Sequence, residues 1–152
     1  MYNQRFRIRR GGILWTGTEQ LEHRGWGQYD PLDEGFKDVV ACATVSGSIY
    51  YVRRTAWNEM YLDDTFQFLF PSVQGAFLPT PLYFEETFCS MHAQAKNWTV
   101  LYDGTVKTAG HSWHASNPVG SNVHYFEISK DIYRQTCQMM GIRNEFNDHL
   151  VG

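Results

Sequence analysis

The sequence has little of what marks a secreted, membrane-spanning or strongly charged protein. Its three cysteines, Cys42, Cys89 and Cys137, are odd in number and widely spaced, which argues against a disulfide framework. No apolar run approaches the length of a membrane span. Residues 1–10 are polar and basic, without the apolar region of a secretory signal. We therefore expect an intracellular protein, either cytoplasmic or assembled into a particle, that does not associate with a membrane.

Sequence motifs of catalysis are also missing. The chain has no glycine-rich phosphate loop, no dinucleotide fingerprint and no G-x-S-x-G nucleophile motif. A formal net charge of only -3 gives no overall field that would attract nucleic acid or a membrane. These absences favour a protein that is not an enzyme and that needs no cofactor.

Aromatic residues are abundant. They make up 16% of the 152 residues, and hydrophobic residues make up 43%. A chain of this length and composition is expected to form a single domain, residues 1–152, with a substantial core. Aromatic side chains are typical of strands and of binding surfaces, so their excess indicates both.

Alternating patterns and turn signals predict an α+β fold. It would be mainly antiparallel β, with about seven short strands and two or three helices including a C-terminal helix. The predicted strands lie at 5–9, 13–16, 39–45, 49–52, 65–70, 97–102, 105–109 and 123–128. The predicted helices start near Thr55, cover 81–95 and lie between Ser129 and Gly141. Asp103-Gly104 predicts a tight hairpin, and residues 17–38 read as a long loop.

Two short pairs of residues have the spacing of metal ligands. Cys89 and His92 would project from one face of the helix predicted over 81–95. His111 and His114 follow in a loop, and one sulfur with three nitrogens is an acceptable zinc set. A zinc-stabilised domain is therefore one alternative. The simpler interpretation is a satisfied pair of loop histidines together with a helical Cys and His, because such spacing often arises by chance.

Arginines alternate along the first predicted strand. Arg5, Arg7 and Arg9 share one face, and Arg10 follows them. Such a row can contact phosphates of a nucleic acid. It can equally dock on a neighbouring subunit, because arginine is enriched in protein interfaces.

The segment from Gly12 to Thr18 resembles the opening strand of ADP-ribosyltransferases. In both, an apolar strand runs into a small polar turn, although Thr16 stands where that family has a histidine. The resemblance covers about seven residues and implies that NAD would be the cofactor. It also implies that Glu127, on the strand predicted over 123–128, would be the catalytic acid.

The hypothesis that we favour is a non-enzymatic interaction or structural subunit that binds another macromolecule. Examples are a component of a viral or phage particle, or an inhibitor. A protein partner or self-assembly fits best, since Tyr, Trp and Arg dominate binding hot spots. Loops 17–38 and 110–122 would meet either around a pocket or as a flat aromatic surface. The predicted binding residues are Arg5, Arg7, Arg9, Trp15, Trp26, Tyr29 and Trp113.

Overall fold

The computed structural model describes residues 12–16, 20–25, 28, 35–45, 50–106 and 123–144. These ranges hold four helices and four short strands, so the α+β class is confirmed. In chain order the elements are β1 (Ile13–Thr16), β2 (Gln20–His23), β3 (Val39–Ala41), α1 (Arg54–Tyr61), α2 (Asp64–Leu69), α3 (Glu85–Ala95), β4 (Leu101–Asp103) and α4 (Val123–Met140).

The strands of the described ranges form two small antiparallel sheets. β1 pairs with β2, placing Ile13 opposite His23, and β3 pairs with β4. Ile13 also donates to the carbonyl of Thr44 over 3.0 Å and accepts from the amide of Ala43 over 2.8 Å. These two bonds join the first sheet to the chain that follows β3. The expected count of about seven strands is not confirmed.

Helix α3 lies at the centre of the core, with residues 88–93 all buried. One cluster consists of Ala43, Phe66, Leu78, Phe88, Met91, Tyr133, Cys137 and Ile142. A second consists of Met60, Ala76, Cys89 and Ala93. Because α3 contributes to both clusters, it is buried around most of its circumference, which is unusual for a helix in a domain of this size.

The strand predicted over 65–70 is wrong, because Asp64–Leu69 forms α2. The side chain of Asp63 caps this helix by accepting a hydrogen bond from the amide of Phe66 over 2.9 Å. Phe66 and Phe70 then meet across one helical turn, with ring centroids 5.3 Å apart, while Phe68 is 83% exposed. Phenylalanines at every second position fit a strand, but the first and the third also fit an i, i+4 pair on a helix. The cap by Asp63 favours the helix.

The strand predicted over 123–128 is wrong as well, because α4 is one continuous helix of 18 residues. Ser129 does not cap it; the side chain is buried, and its hydroxyl accepts from the amide of Leu82 over 3.4 Å. The predicted helix end is confirmed. Gly141 has a φ of 64°, and the amide of Ile142 donates to the carbonyl of Cys137, as in a Schellman motif.

Helix α3 begins at Glu85 rather than at residue 81. Tyr83 and Phe84 both adopt positive φ angles, which ends any helix started at Pro81. The ring of Phe84 stacks on Tyr133 of α4 with centroids 5.0 Å apart. The positive φ angles just before α3 therefore direct the side chain of Phe84 towards the core.

The turn predicted at Asp103-Gly104 is present, with Gly104 and Thr105 directly after β4, while residues 107–109 of the predicted hairpin lie outside the described ranges. β4 pairs with β3. A Cβ on Gly104 would lie 1.7 Å from the carbonyl oxygen of Phe36, and its amide donates to the carbonyl of Asp38. The glycine thus also serves a close backbone approach.

The structure also differs from the sequence prediction at residues 17–38 and 50–52. The loop expected over 17–38 contains β2, and after it one guanidinium nitrogen of Arg24 (Nη2) donates to both carboxylate oxygens of Asp38, over 2.9 and 2.7 Å. Residues 50–52, expected to be a strand, have no strand pairing in the described part of the chain. The helix expected near Thr55 is present as α1, with Arg53 as its N-cap and no side-chain cap.

Candidate functional site

The most unusual polar group of the described core is His92. Its side chain lies on α3 with 1% relative exposure, against the stacked rings of Phe66 and Phe88 at centroid distances of 5.9 and 5.5 Å. Neither ring nitrogen has a hydrogen-bond partner. Burial lowers the pKa of His92 to about 4, although Asp63 acts to raise it. The imidazole is therefore neutral at pH 7.

Asp63 joins α2 to the last turn of α3. It caps α2 through the amide of Phe66 and forms an ion pair with Lys96. Burial acts to raise the pKa of Asp63, but the hydrogen bonds from Lys96 and Phe66 hold it below its ordinary value. Its nearer oxygen lies 3.7 Å from Nε2 of His92, which is too far for a hydrogen bond. The carboxylate is thus already committed to two other donors.

Cys89 lies one turn before His92 on the same helix, as the sequence predicts. It is fully buried beside the hydroxyl of Tyr50, and burial raises the pKa of its thiol to about 11. A nucleophilic cysteine needs a lowered thiol pKa and a base that can take its proton. At pH 7 the thiol of Cys89 therefore stays protonated, and the imidazole of His92 does not take up a proton. Cys89, His92 and Asp63 therefore do not form a working nucleophile–base set in this conformation.

A polar network fills the opposite side of α3. The hydroxyl of Ser90 contacts that of Thr44 at 3.0 Å and that of Tyr50 at 3.3 Å, and it donates to the carbonyl of Glu86. The amide of Gln94 donates to the carbonyl of Ala43 over 2.6 Å. Each of these buried groups has a partner, so the network fixes α3 against the chain after β3 and has no donor left over for a substrate.

Two of the four predicted zinc ligands lie within the described residues. Cys89 and His92 share a helical face, but His111 and His114 lie outside the described residues. Within the described ranges no group of three or more His, Cys, Asp or Glu side chains could hold a metal ion. The described structure thus offers two of the four ligands that tetrahedral zinc requires.

The two residues of the transferase resemblance lie on different kinds of element. Thr16 ends β1, as expected. Glu127 lies on α4 rather than on a strand, and it is exposed and paired with Lys130 one turn away. A helix-borne, solvent-paired carboxylate departs from the strand-borne acid that the resemblance implies.

Of the predicted binding residues, the described ranges include only Trp15. It is partly buried against the larger core cluster, and the guanidinium carbon of Arg143 lies 4.1 Å from its ring centroid. The others lie outside the described residues: Arg5, Arg7, Arg9, Arg10, Trp26, Tyr29 and Trp113. The same is true of residues 110–122, so the predicted pocket between two loops is not described.

Comparisons with models of protein families, with curated proteins and with solved structures give no match. The candidate sites therefore rest on the chemistry and exposure of this chain's own residues.

Two exposed surfaces differ from those predicted from the sequence, which indicated only Arg53 and Arg54, as possible neighbours of the arginine row at 5–10. On α4, Tyr125, Ile128 and Met139 are 46%, 36% and 57% exposed and share one side of the helix with Ile132. Their 3-4-7 spacing is visible in the sequence, but a strand prediction over 123–128 hides it. The second surface lies around the start of α1, where Tyr51 is 89% exposed and is followed by two exposed arginines.

Proposed function

We propose that this protein is a non-enzymatic interaction or structural subunit that binds another macromolecule through exposed apolar and aromatic side chains. The observation that carries the proposal is the outer stripe of α4, which we define as Tyr125, Ile128, Ile132 and Met139. Steps of three, four and seven residues keep these positions on one side of the helix over about four turns.

The outer stripe of α4 differs from scattered surface hydrophobics. Single exposed apolar residues are ordinary, whereas an aligned apolar row is typical of a helix that packs against a partner. Ile132 is partly buried against the larger cluster, so the stripe borders the core instead of lying on the polar side of α4. The polar side carries the ion pairs Glu127–Lys130 and Asp131–Arg134. The helix thus has one side for the core, one for solvent and one for a partner.

The buried chemistry supports the same proposal. The nucleophile candidate and its neighbouring imidazole are both neutral and inaccessible at pH 7, as argued from their burial. The cysteines Cys42, Cys89 and Cys137 are all free and buried, which fits folding in a reducing, intracellular compartment. Within the described ranges, each helix is too short or too polar to span a membrane.

Sedimentation velocity over a wide range of protein concentrations tests the proposal. We expect self-association that is weakened in the double variant Ile128→Gln/Met139→Gln. Losing two exposed apolar side chains from the interface should raise the dissociation constant by about tenfold or more, which corresponds to about 1.4 kcal/mol. The control variant Leu62→Gln/Phe68→Gln removes even more exposed apolar side chains, from the end of α1 and from α2, and should associate like the wild type.

A wild-type protein that remains monomeric at every concentration would exclude self-assembly through α4. If it also shows no α4-dependent complex with another protein of its host, the proposal as a whole fails. The NAD and zinc alternatives have separate tests. Heat released on titration with NAD, or stoichiometric zinc in protein purified without chelators, would favour an alternative over the interaction subunit.

A further inference from the structure

The start of α1 carries a second exposed surface, distinct from the outer stripe of α4. Residues 50–53 alternate in burial and end in the extended backbone of Arg53: Tyr50 and Val52 are partly buried, while Tyr51 and Arg53 are exposed. Side chains two apart on an extended segment point to the same side. Tyr51 is 89% exposed, so its ring and the guanidinium of Arg53 share the outer side of this segment.

Helix α1 follows residues 50–53 directly. Trp57 lies three residues after Arg54, on the same side of α1. The Trp57 ring packs on the backbone of Gly75, where a Cβ would lie 2.8 Å from its Cζ2 atom. It also meets Phe77 edge-on at 5.1 Å, and Phe77 is 39% exposed. Trp57 and Phe77 therefore form a fixed aromatic pair near the start of α1. We call Tyr51, Arg53 and Arg54 the α1 surface.

The charges of the α1 surface are uncompensated. Arg24 and Arg134 each have an aspartate partner, at 2.7 and 3.7 Å. Arg53 and Arg54 have no carboxylate partner within the described ranges, and both are exposed. Two adjacent unpaired guanidinium groups favour a ligand that brings negative charge.

We propose that the α1 surface binds single-stranded nucleic acid, with Arg53 and Arg54 contacting phosphates and Tyr51 stacking on a base. Two adjacent cations beside an exposed ring fit a chain that carries phosphates next to unpaired bases. A duplex hides its base faces, and an acidic peptide offers no flat ring to Tyr51. The mild negative net charge of the protein means that attraction is local to these residues.

Fluorescence anisotropy with a labelled single strand of about ten nucleotides tests this directly. Two phosphate contacts on a single strand give a slope of about -1.4 in log affinity against log salt. A fourfold increase in salt should therefore weaken wild-type binding about sevenfold. In Arg53→Gln/Arg54→Gln this slope should fall close to zero. Tyr51→Ser should lose at least about fivefold in affinity with the slope unchanged, because it removes stacking and no charge.

The matched control is Lys37→Gln/Arg134→Gln, which removes the same formal charge from exposed side chains elsewhere. It should bind like the wild type, and circular dichroism checks that every variant is folded. Absence of binding at low salt, or equal binding by the control and the Arg53/Arg54 variant, would overturn the proposal. Equal binding of a polyglutamate peptide would also overturn it and would assign the surface to an acidic polypeptide. None of these outcomes depends on the sedimentation test of the outer stripe of α4.

Discussion

Acid should destabilise this protein through His92, and the size of the effect follows from its burial. The ordinary pKa of 6.5 is lowered to about 4 in the folded protein. A difference of about 2.5 units corresponds to about 3 kcal/mol. As the pH falls, His92 takes up a proton in the unfolded chain at a higher pH than in the folded chain. The free energy of unfolding should therefore be unaffected by His92 above pH 6.5 and should decrease progressively between about pH 6.5 and pH 4.

The variant His92→Phe isolates this effect. Phenylalanine cannot titrate, and it enters a site already lined by Phe66 and Phe88. It also removes two buried ring nitrogens that have no hydrogen-bond partner, so the variant should be at least as stable as the wild type at pH 7. Asp63 is present in both proteins, so the part of its titration that is set by Lys96 and by the amide of Phe66 cancels from the comparison.

Urea unfolding followed by tryptophan fluorescence at a series of pH values gives the required free energies. We expect the wild type to lose about 3 kcal/mol more than His92→Phe between pH 7 and pH 4. Parallel pH profiles for the two proteins would refute the reasoning, since they would mean that His92 is hydrated or hydrogen-bonded in the folded state.

Three further predictions follow from single contacts. Gly104→Ala should lower the free energy of unfolding by about 3 kcal/mol, because the new Cβ meets the carbonyl oxygen of Phe36. Gly141→Ala should lower it by about 1 kcal/mol, because that site has open space and only an unfavourable φ. Thermal unfolding would show the difference as two distinct shifts in Tm. Asp63→Asn should keep the cap of α2 and lose only the ion pair, while Asp63→Ala should lose both and cost about 1 kcal/mol more in urea unfolding; equal costs would mean that the cap contributes nothing. Zinc added to metal-free protein should leave the unfolding midpoint unchanged, because it would have to displace a proton from Cys89 at a thiol pKa of about 11; a rise in the midpoint that Cys89→Ser abolishes would contradict this.

Local signals predicted the parts of the fold that local interactions decide. Gly141 ends α4 because its φ of 64° suits glycine and frees the amide of Ile142 to reach Cys137, and all of this lies within six residues. The buried face of α4 was likewise predictable, since Tyr133, Thr136 and Cys137 repeat at helical spacing.

Other parts depend on contacts that no short pattern contains. The phenylalanines at 66, 68 and 70 fit a strand and a helix equally, and the cap from Asp63 is what separates them. The burial of His92 requires rings from both α2 and α3 to close around it. The exposure of Tyr51 was also not readable, because it follows from Tyr50 packing inward against Ser90 and Phe77.

The most direct test of the proposed interaction function is site-specific photocrosslinking from α4. A photoreactive residue at Met139, on the outer stripe, should give a crosslinked complex with a second macromolecule, either another copy of the chain or a host protein. The same residue at Arg134, on the polar side of α4, is equally accessible and should give little or none. Equal crosslinking from both positions, or none from position 139, would contradict the account.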